Sequence, residues 1–157
     1  MSPGWRRRID RSLERLLAFL MAAMVLNVCW QVATRFLFRN PSSYTEELAR
    51  FLLIWVGLLG ASYASGQRMH LAIDLLGRSR PQWHQGLRTL ALAATAAFGL
   101  VALAGGGARL VALTLDLGQT SAALGWNLGY VYLVVPLAGL LITYYAVDDW
   151  LQTRKEH

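Results

Sequence analysis

The sequence predicts an all-α integral membrane protein with four transmembrane helices, short interfacial amphipathic segments and both termini in the cytoplasm. Three observations lead to this fold class. Of 157 residues, 55% are hydrophobic and only 15% are charged, whereas soluble domains carry about 25% charged residues. Long stretches contain no charged residue. Finally, the formal net charge of +6 is distributed unevenly between those stretches, as it is in membrane proteins with a fixed orientation.

Four uncharged stretches define the predicted helices. A helix rises 1.5 Å per residue, so about 20 residues cross a hydrocarbon core of about 30 Å. No alternating pattern of a membrane barrel is present. The first apolar run is too long for the core of a secretory leader and lacks a small-residue cleavage site, so we expect a retained helix. We predict a single membrane domain over residues 1–157, with helices at about 12–38, 44–65, 82–112 and 126–150.

The connectors between these helices carry start and stop signals. Pro41 cannot continue the first helix, and Ser43 with Glu46 forms a capping box that starts the second. Gly66 is suited to end that second helix. Apolar and polar residues alternate over 66–81 and then merge into an apolar pair, which predicts a short amphipathic segment in the interface.

Positive charge predicts the orientation. Eleven of the fifteen Lys and Arg residues flank the first helix at its start, follow the second, or end the chain, and four lie on the opposite side. Positively charged loops favour the cytoplasm, so both termini are expected there. The same charges predict contact with anionic lipids. Because the positive charge follows topology, a nucleic-acid partner is not expected.

Residues typical of catalysis are missing from the predicted spans. Haem or metal ligands would have to come from helices, but His70, His84 and His157 all fall in connectors or the tail. The single cysteine, Cys29, excludes an internal disulfide and a paired-thiol oxidoreductase. No phosphate-binding loop of an ATPase is present. We therefore predict no enzyme activity, no cofactor and no metal site.

Several polar residues remain as candidates for structural or partner contacts. Asn27, Gln31 and Arg35 follow one another at spacing four, so they line one side of the first helix. That polar row should contact protein, either within this subunit or in a second one. Arg35 could pair with Glu46 or Glu47 across the first hairpin, and Arg50 with either glutamate along the helix.

Small and aromatic residues mark further candidate contact surfaces. Gly57 with Ala61, and Gly60 with Ala64, have the four-residue spacing that lets membrane helices approach closely, inside one bundle or at a partner. Trp126 begins an aromatic belt at the start of the fourth helix. Pro136 lies inside that helix and is expected to kink it.

Two parts of the chain resemble a known family. The shorter part, later in the chain, is Trp126 with Tyr130 and Pro136. The first comprises Arg35-Phe36-Leu37-Phe38, Tyr44-Thr45-Glu46-Glu47-Leu48-Ala49-Arg50-Phe51, Trp55, Gly60-Ala61 and Gln67-Arg68-Met69-His70-Leu71-Ala72-Ile73-Asp74-Leu75-Leu76. In these residues, and in length and topology, the chain resembles the DctQ-like family, the small membrane subunits of tripartite ATP-independent periplasmic (TRAP) transporters.

The resemblance implies a sodium-coupled secondary transporter in a bacterial inner membrane. In it a periplasmic binding protein captures the substrate, often an organic acid, and a large membrane subunit moves it. The small subunit would act as a scaffold beside the large one, which is expected to be a separate polypeptide because this chain ends in a charged tail. The implied structural residues are an outer ion network of Arg35, Glu46, Glu47 and Arg50, and His70 with Asp74 at the inner connector.

Two other function classes stay open at this point. A membrane anchor of an electron-transfer complex would hold a coloured cofactor, so the purified protein would absorb visible light. A self-contained small exporter working as a homo-oligomer would transport without any partner. The scaffold hypothesis predicts neither behaviour.

Overall fold

The computed structural model describes residues 3–37, 43–67 and 81–155. Within these ranges the regular structure is helical, apart from an isolated bridge between Thr120 and Asn127, so the predicted all-α fold is confirmed. The elements are α1 (Pro3–Leu37), α2 (Ser43–Gly66), α3 (Pro81–Ala97), a π-helical segment (Phe98–Gly105), α4 (Gly106–Asp116), α5 (Leu128–Tyr132) and α6 (Val134–Lys155).

Four stretches of these helices are long and apolar enough to cross a membrane, as predicted. They are called spans 1 to 4 below. Span 1 belongs to a helix that begins at Pro3, earlier than the predicted start near residue 12, since proline is well tolerated in the first helical turn. The helix that contains span 3 begins at Pro81, next to the predicted residue 82, and continues through the π-helical segment. The spans are Trp5–Leu37, Ser43–Gly66, Arg88–Asp116 and Leu128–Leu151.

The spans form an open layer in the order 1, 2, 4, 3. Span 1 packs along span 2, span 2 along span 4, and span 4 along span 3. In the described ranges, span 3 makes no comparable contact with spans 1 or 2. The buried side chains Leu13, Leu59, Val134 and Tyr145 form a core where spans 1, 2 and 4 meet. Because spans 1 and 3 are not in comparable contact, this layer is not closed into a bundle within the described ranges.

Spans 3 and 4 approach each other through glycine. A Cβ at Gly139 would lie 2.5 Å from the backbone nitrogen of Ala104 and 2.6 Å from the carbonyl oxygen of Gly99. The Thr143 hydroxyl lies 2.8 Å from the Gly139 carbonyl oxygen and 3.4 Å from that of Ala96. Lipid tails are as apolar as leucine, so close packing and hydrogen bonds of this kind hold membrane helices together.

Span 4 is interrupted where its proline predicts a disturbance. The helix breaks at Leu133, between α5 and α6. Pro136 has no N–H to donate to the carbonyl of Tyr132, four residues earlier, so the regular ladder cannot continue there. At its start, the Asn127 side chain accepts a hydrogen bond of 2.9 Å from the Gly129 amide, a cap that the sequence reasoning missed.

The second connector can be described only at its beginning. Helix α2 ends at Gly66, where the sequence predicts its end. The predicted amphipathic segment after it, including His70 and Asp74, lies outside the described residues.

Candidate functional site

Polar side chains of the described residues gather at the two ends of the layer. Within the described ranges, no group of three or more His, Cys, Asp or Glu is placed to hold a metal ion. Two polar clusters, one at each end of the layer, instead join separate spans. At one end is the Arg6 cluster, formed by Arg6, Asp10, Tyr145, Asp148 and Asp149. At the other is the Glu47 cap, formed by Glu47 and the loop residues Ser121, Ala123 and Leu124.

The Arg6 cluster ties the start of span 1 to the ends of spans 2 and 4. Nη1 of Arg6 donates to Oδ2 of Asp148 at 2.7 Å and to Oδ1 of Asp149 at 2.9 Å. Nη2 donates to the carbonyl oxygen of Gly66. Asp148 and Asp149 are only 2% and 4% exposed, so the guanidinium pairs with two carboxylates that have little access to water.

Tyr145 completes this cluster. Its side chain is fully buried, and its hydroxyl donates to Oδ1 of Asp10 at 2.6 Å. The guanidinium of Arg6 lies 5.6 Å from the centre of the tyrosine ring, within the range of a cation–π contact. The ring fills the space at Gly66, where a Cβ would lie 2.6 Å from a ring carbon. Glycine at position 66 therefore serves packing as well as helix termination.

Sequence reasoning did not find the Arg6 cluster. It assigned Arg6 to topology and lipid contact together with the neighbouring arginines, and it did not single out the two aspartates. A signal was present, because an Asp-Asp pair at the end of an apolar span needs a cation nearby. Nothing in the sequence indicates which arginine supplies that cation.

The Glu47 cap joins span 2 to the loop between spans 3 and 4. The Oε2 atom of Glu47 accepts hydrogen bonds from the backbone amides of Ala123 at 2.9 Å and Leu124 at 3.0 Å. The Leu124 amide also lies 3.1 Å from the Ser121 hydroxyl oxygen. Hydrogen bonds to a charged acceptor are stronger than neutral ones, so this carboxylate fixes the loop against the start of span 2.

The predicted outer ion network is only partly assembled. The pairing of Arg50 with Glu46 is confirmed, at 2.5 Å between Nη2 and Oε1. Both side chains are largely exposed, and such exposed pairs contribute little stability. Glu47 bonds to loop amides instead of arginine. Arg35 is exposed and forms no ion pair with any described residue, so the expected pair across the hairpin is not seen there.

The polar row of span 1 is not buried along its whole length. The Asn27 amide donates to the carbonyl oxygen of Thr45 at 2.8 Å and so joins spans 1 and 2. Gln31 is half-buried, and Arg35 is exposed. The physical reason is that each four-residue step turns about 40° too far around a helix of 3.6 residues per turn. Asn27 therefore makes its contact within this subunit.

The small residues predicted on span 2 touch little of this chain. No atom lies within 4 Å of a Cβ built at Gly57, and the nearest atom to one at Gly60 is 4.0 Å away. Spans 2 and 4 are joined elsewhere, by the hydrogen bond of 3.0 Å from Trp55 Nε1 to the carbonyl oxygen of Val131. No described residue of another span therefore packs against the exposed small surface at Gly57.

The two candidates at and near span 4, Trp126 just before it and Pro136 within it, differ in their surroundings. Trp126 is 57% exposed, as expected of an aromatic belt residue. Pro136 packs against span 3, because a Cβ at Gly107 would lie 2.9 Å from its nitrogen. Pro136 therefore contributes to packing inside the chain.

A family model matches most of the chain. Residues 24–156 match the model described as tripartite ATP-independent periplasmic transporters, DctQ component. The match covers the end of span 1 and all of spans 2, 3 and 4.

Individual relatives agree with that match. The sialic acid TRAP transporter small permease protein SiaQ of Vibrio cholerae is 34% identical over 77 residues, which are 48% of this chain and 44% of the relative. The C4-dicarboxylate TRAP transporter small permease protein DctQ of the same species is 32% identical over 110 residues, 67% of this chain and 47% of the relative. The chain thus spans about half the length of the small permease relatives it matches.

A longer protein shares a shorter stretch. The sialic acid TRAP transporter permease protein SiaT of Haemophilus influenzae is 38% identical over 52 residues, which are 33% of this chain but only 8% of that protein.

Proposed function

We propose, on the premise that this chain belongs to the DctQ component family of TRAP transporters, that it is the small permease subunit of such a transporter. The chain is a multi-pass protein of the bacterial inner membrane. Its proposed role is to support a large membrane subunit during sodium-coupled uptake of an organic acid delivered by a periplasmic binding protein. We also propose that both termini lie in the cytoplasm, in line with the distribution of positive charge.

The observation that carries the scaffold role is the open layer of spans held together at both ends. The buried charges of the Arg6 cluster pair with one another, and the Glu47 carboxylate binds loop amides. Polar groups that serve such contacts are not available to carry an ion or a substrate. Many large apolar side chains of the described spans are exposed, as expected of a subunit that packs beside another membrane protein.

The names of the relatives support the choice of partners. SiaT is named as a permease protein and SiaQ as a small permease protein of sialic acid TRAP transporters. Sialic acids and C4-dicarboxylates, named for SiaQ and DctQ, are both organic acids. We therefore propose a large permease subunit as the direct partner, with a periplasmic binding protein delivering the substrate. No catalytic step is assigned to this chain.

Within the chain, we propose Gly57 as part of the contact with the large subunit. It is exposed, a Cβ added there would have no atom within 4 Å, and it lies one turn from Ala61, which is exposed as well. Two further exposed candidates are Arg35, near the end of span 1, and Trp126, just before the start of span 4. His70 and Asp74 remain proposed for the inner connector.

Co-purification with the large subunit tests the proposal. Gly57→Leu should reduce recovery of the large subunit strongly, because the added side chain has room within this chain and would meet only a partner. Ala22→Leu, at an exposed position of span 1, is the matched control and should leave recovery unchanged. Equal recovery with both variants would contradict the Gly57 contact.

Transport measurements test the role itself. Liposomes with this chain alone should show no uptake, and uptake should require the large subunit and the binding protein. Transport by the chain alone would support the exporter hypothesis and contradict the scaffold. A visible absorbance spectrum of the purified protein would likewise support the electron-transfer alternative.

A further inference from the structure

A cavity of about 340 Å³ lies against the first turns of span 1. Its size is within the range of small-ligand sites. The cavity is mostly apolar, with a hydroxyl and a guanidinium among its lining groups. Over the eleven helical steps from Trp5 to Leu16, the first and last lining residues, a helix rises about 16 Å. The described lining is Trp5, Arg8, Ile9, Ser12, Leu13 and Leu16.

Positive charge borders this cavity on one side. At about 100° per residue, Arg15 lies about 20° and Arg11 about 60° around the helix from Arg8. All three are exposed, and none forms an ion pair with a described residue. The acidic neighbour Asp10 accepts a hydrogen bond from Tyr145 in the Arg6 cluster. The cavity therefore has an apolar wall and, on the Arg8 side, exposed guanidinium groups that form no ion pair with a described residue, while the exposed carboxylate of Glu14 lies one turn from Arg11.

The depth of the cavity matches the border of the membrane. The uncharged part of span 1 begins at Leu16, so the cavity extends from the hydrocarbon boundary into the headgroup region. Trp5 lies at the end of the cavity farther from Leu16, in the headgroup region, where amphipathic rings prefer to be. An apolar chain would thus meet Leu13 and Leu16, while a headgroup would meet Ser12 and Arg8.

We infer that this cavity is a binding site for one anionic glycerophospholipid. The guanidinium of Arg8 and the hydroxyl of Ser12 donate to the phosphate, and Arg15, about 20° around the helix from Arg8, adds positive charge at the rim. An acyl chain lies along Ile9, Leu13 and Leu16. The site does not depend on the proposed transport role, because its described lining residues all belong to span 1.

Native mass spectrometry of the purified full chain tests the site. Phosphatidylglycerol and phosphatidylcholine with the same acyl chains serve as probes. Wild type should retain one phosphatidylglycerol in preference to phosphatidylcholine. Arg8→Gln should weaken phosphatidylglycerol retention about fivefold, the effect of one basic residue near a membrane surface. Ser12→Phe should abolish retention of this lipid by filling the cavity, although every charge is kept.

Arg7→Gln is the matched control. Arg7 is exposed and lies about 180° around the helix from Leu16, so its loss removes the same charge from the opposite side. Retention should stay within twofold of wild type. A loss equal to that of Arg8→Gln would show general surface attraction and overturn the site. Equal retention of both lipids by wild type, or unchanged retention by Ser12→Phe with normal helicity, would overturn it too.

Discussion

Replacing Arg6 by alanine should destabilise the chain more than any other single loss of an arginine in span 1. The change removes the cation that pairs with both Asp148 and Asp149 and the donor to the Gly66 carbonyl. It leaves two carboxylates with little access to water, since their side chains are only 3% and 5% exposed.

The size of the effect follows from this burial. Removing one partner of a buried ion pair costs about 3–5 kcal/mol. The Arg6 side chain is 17% exposed, and both aspartates have further interactions, so we expect the lower end, about 3 kcal/mol. For a chain of this length, that loss lowers Tm by about 6–12 °C.

Thermal unfolding in a mild detergent, followed by tryptophan fluorescence, measures the loss. Arg7→Ala is the control, because it removes an exposed arginine one residue away and should change Tm little. A triple variant, Arg6→Ala with Asp148→Asn and Asp149→Asn, should recover part of the loss, since no uncompensated buried charge remains. If Arg6→Ala and Arg7→Ala unfold at the same temperature, the Arg6 cluster does not hold the three spans together.

Three further predictions concern the contacts between spans. Gly139→Ala should destabilise the chain by about 1–3 kcal/mol, because its Cβ would meet backbone atoms at 2.5 and 2.6 Å; Gly57→Ala, measured in the same unfolding assay, should be nearly neutral. Glu47→Ala should increase hydrogen exchange at the loop amides by removing their acceptor, and should impair complex assembly or uptake without affecting substrate capture. Glu46→Ala removes only an exposed ion pair, so equal exchange in both glutamate variants would contradict the cap. Trp55→Phe should cost about 1 kcal/mol by removing the hydrogen bond to span 4, and an unchanged Tm would speak against that bond.

The spans were predictable because they depend on uninterrupted apolar length. Each uncharged stretch became a helix, and the signals at Ser43 and Gly66 gave the ends of the second one. The family was predictable for a related reason, since its recognisable residues are consecutive in the chain, and the match over 24–156 confirms it. The early start at Pro3 was missed because Trp5 to Arg15 are too charged to read as a membrane helix.

The candidate site was predictable only where its partners are close in sequence. Arg50 and Glu46 are one helical turn apart, so their pairing follows from helix geometry. The expected pair of Arg35 with a glutamate required a hairpin geometry that spacing alone does not supply. The small residues at Gly57 remain a predicted close-contact surface, and their spacing could not say that the described residues leave this surface open.

The sequence by itself determined the number of spans, their apolar character and the family, because these depend on local composition and on consecutive residues. Only the tertiary structure decided which arginine neutralises Asp148 and Asp149, and where the Glu47 carboxylate binds. Those contacts join residues 142, 143 and 76 positions apart. Their partners are selected by the order in which the spans pack, 1, 2, 4, 3, and helix periodicity contains no information about that order.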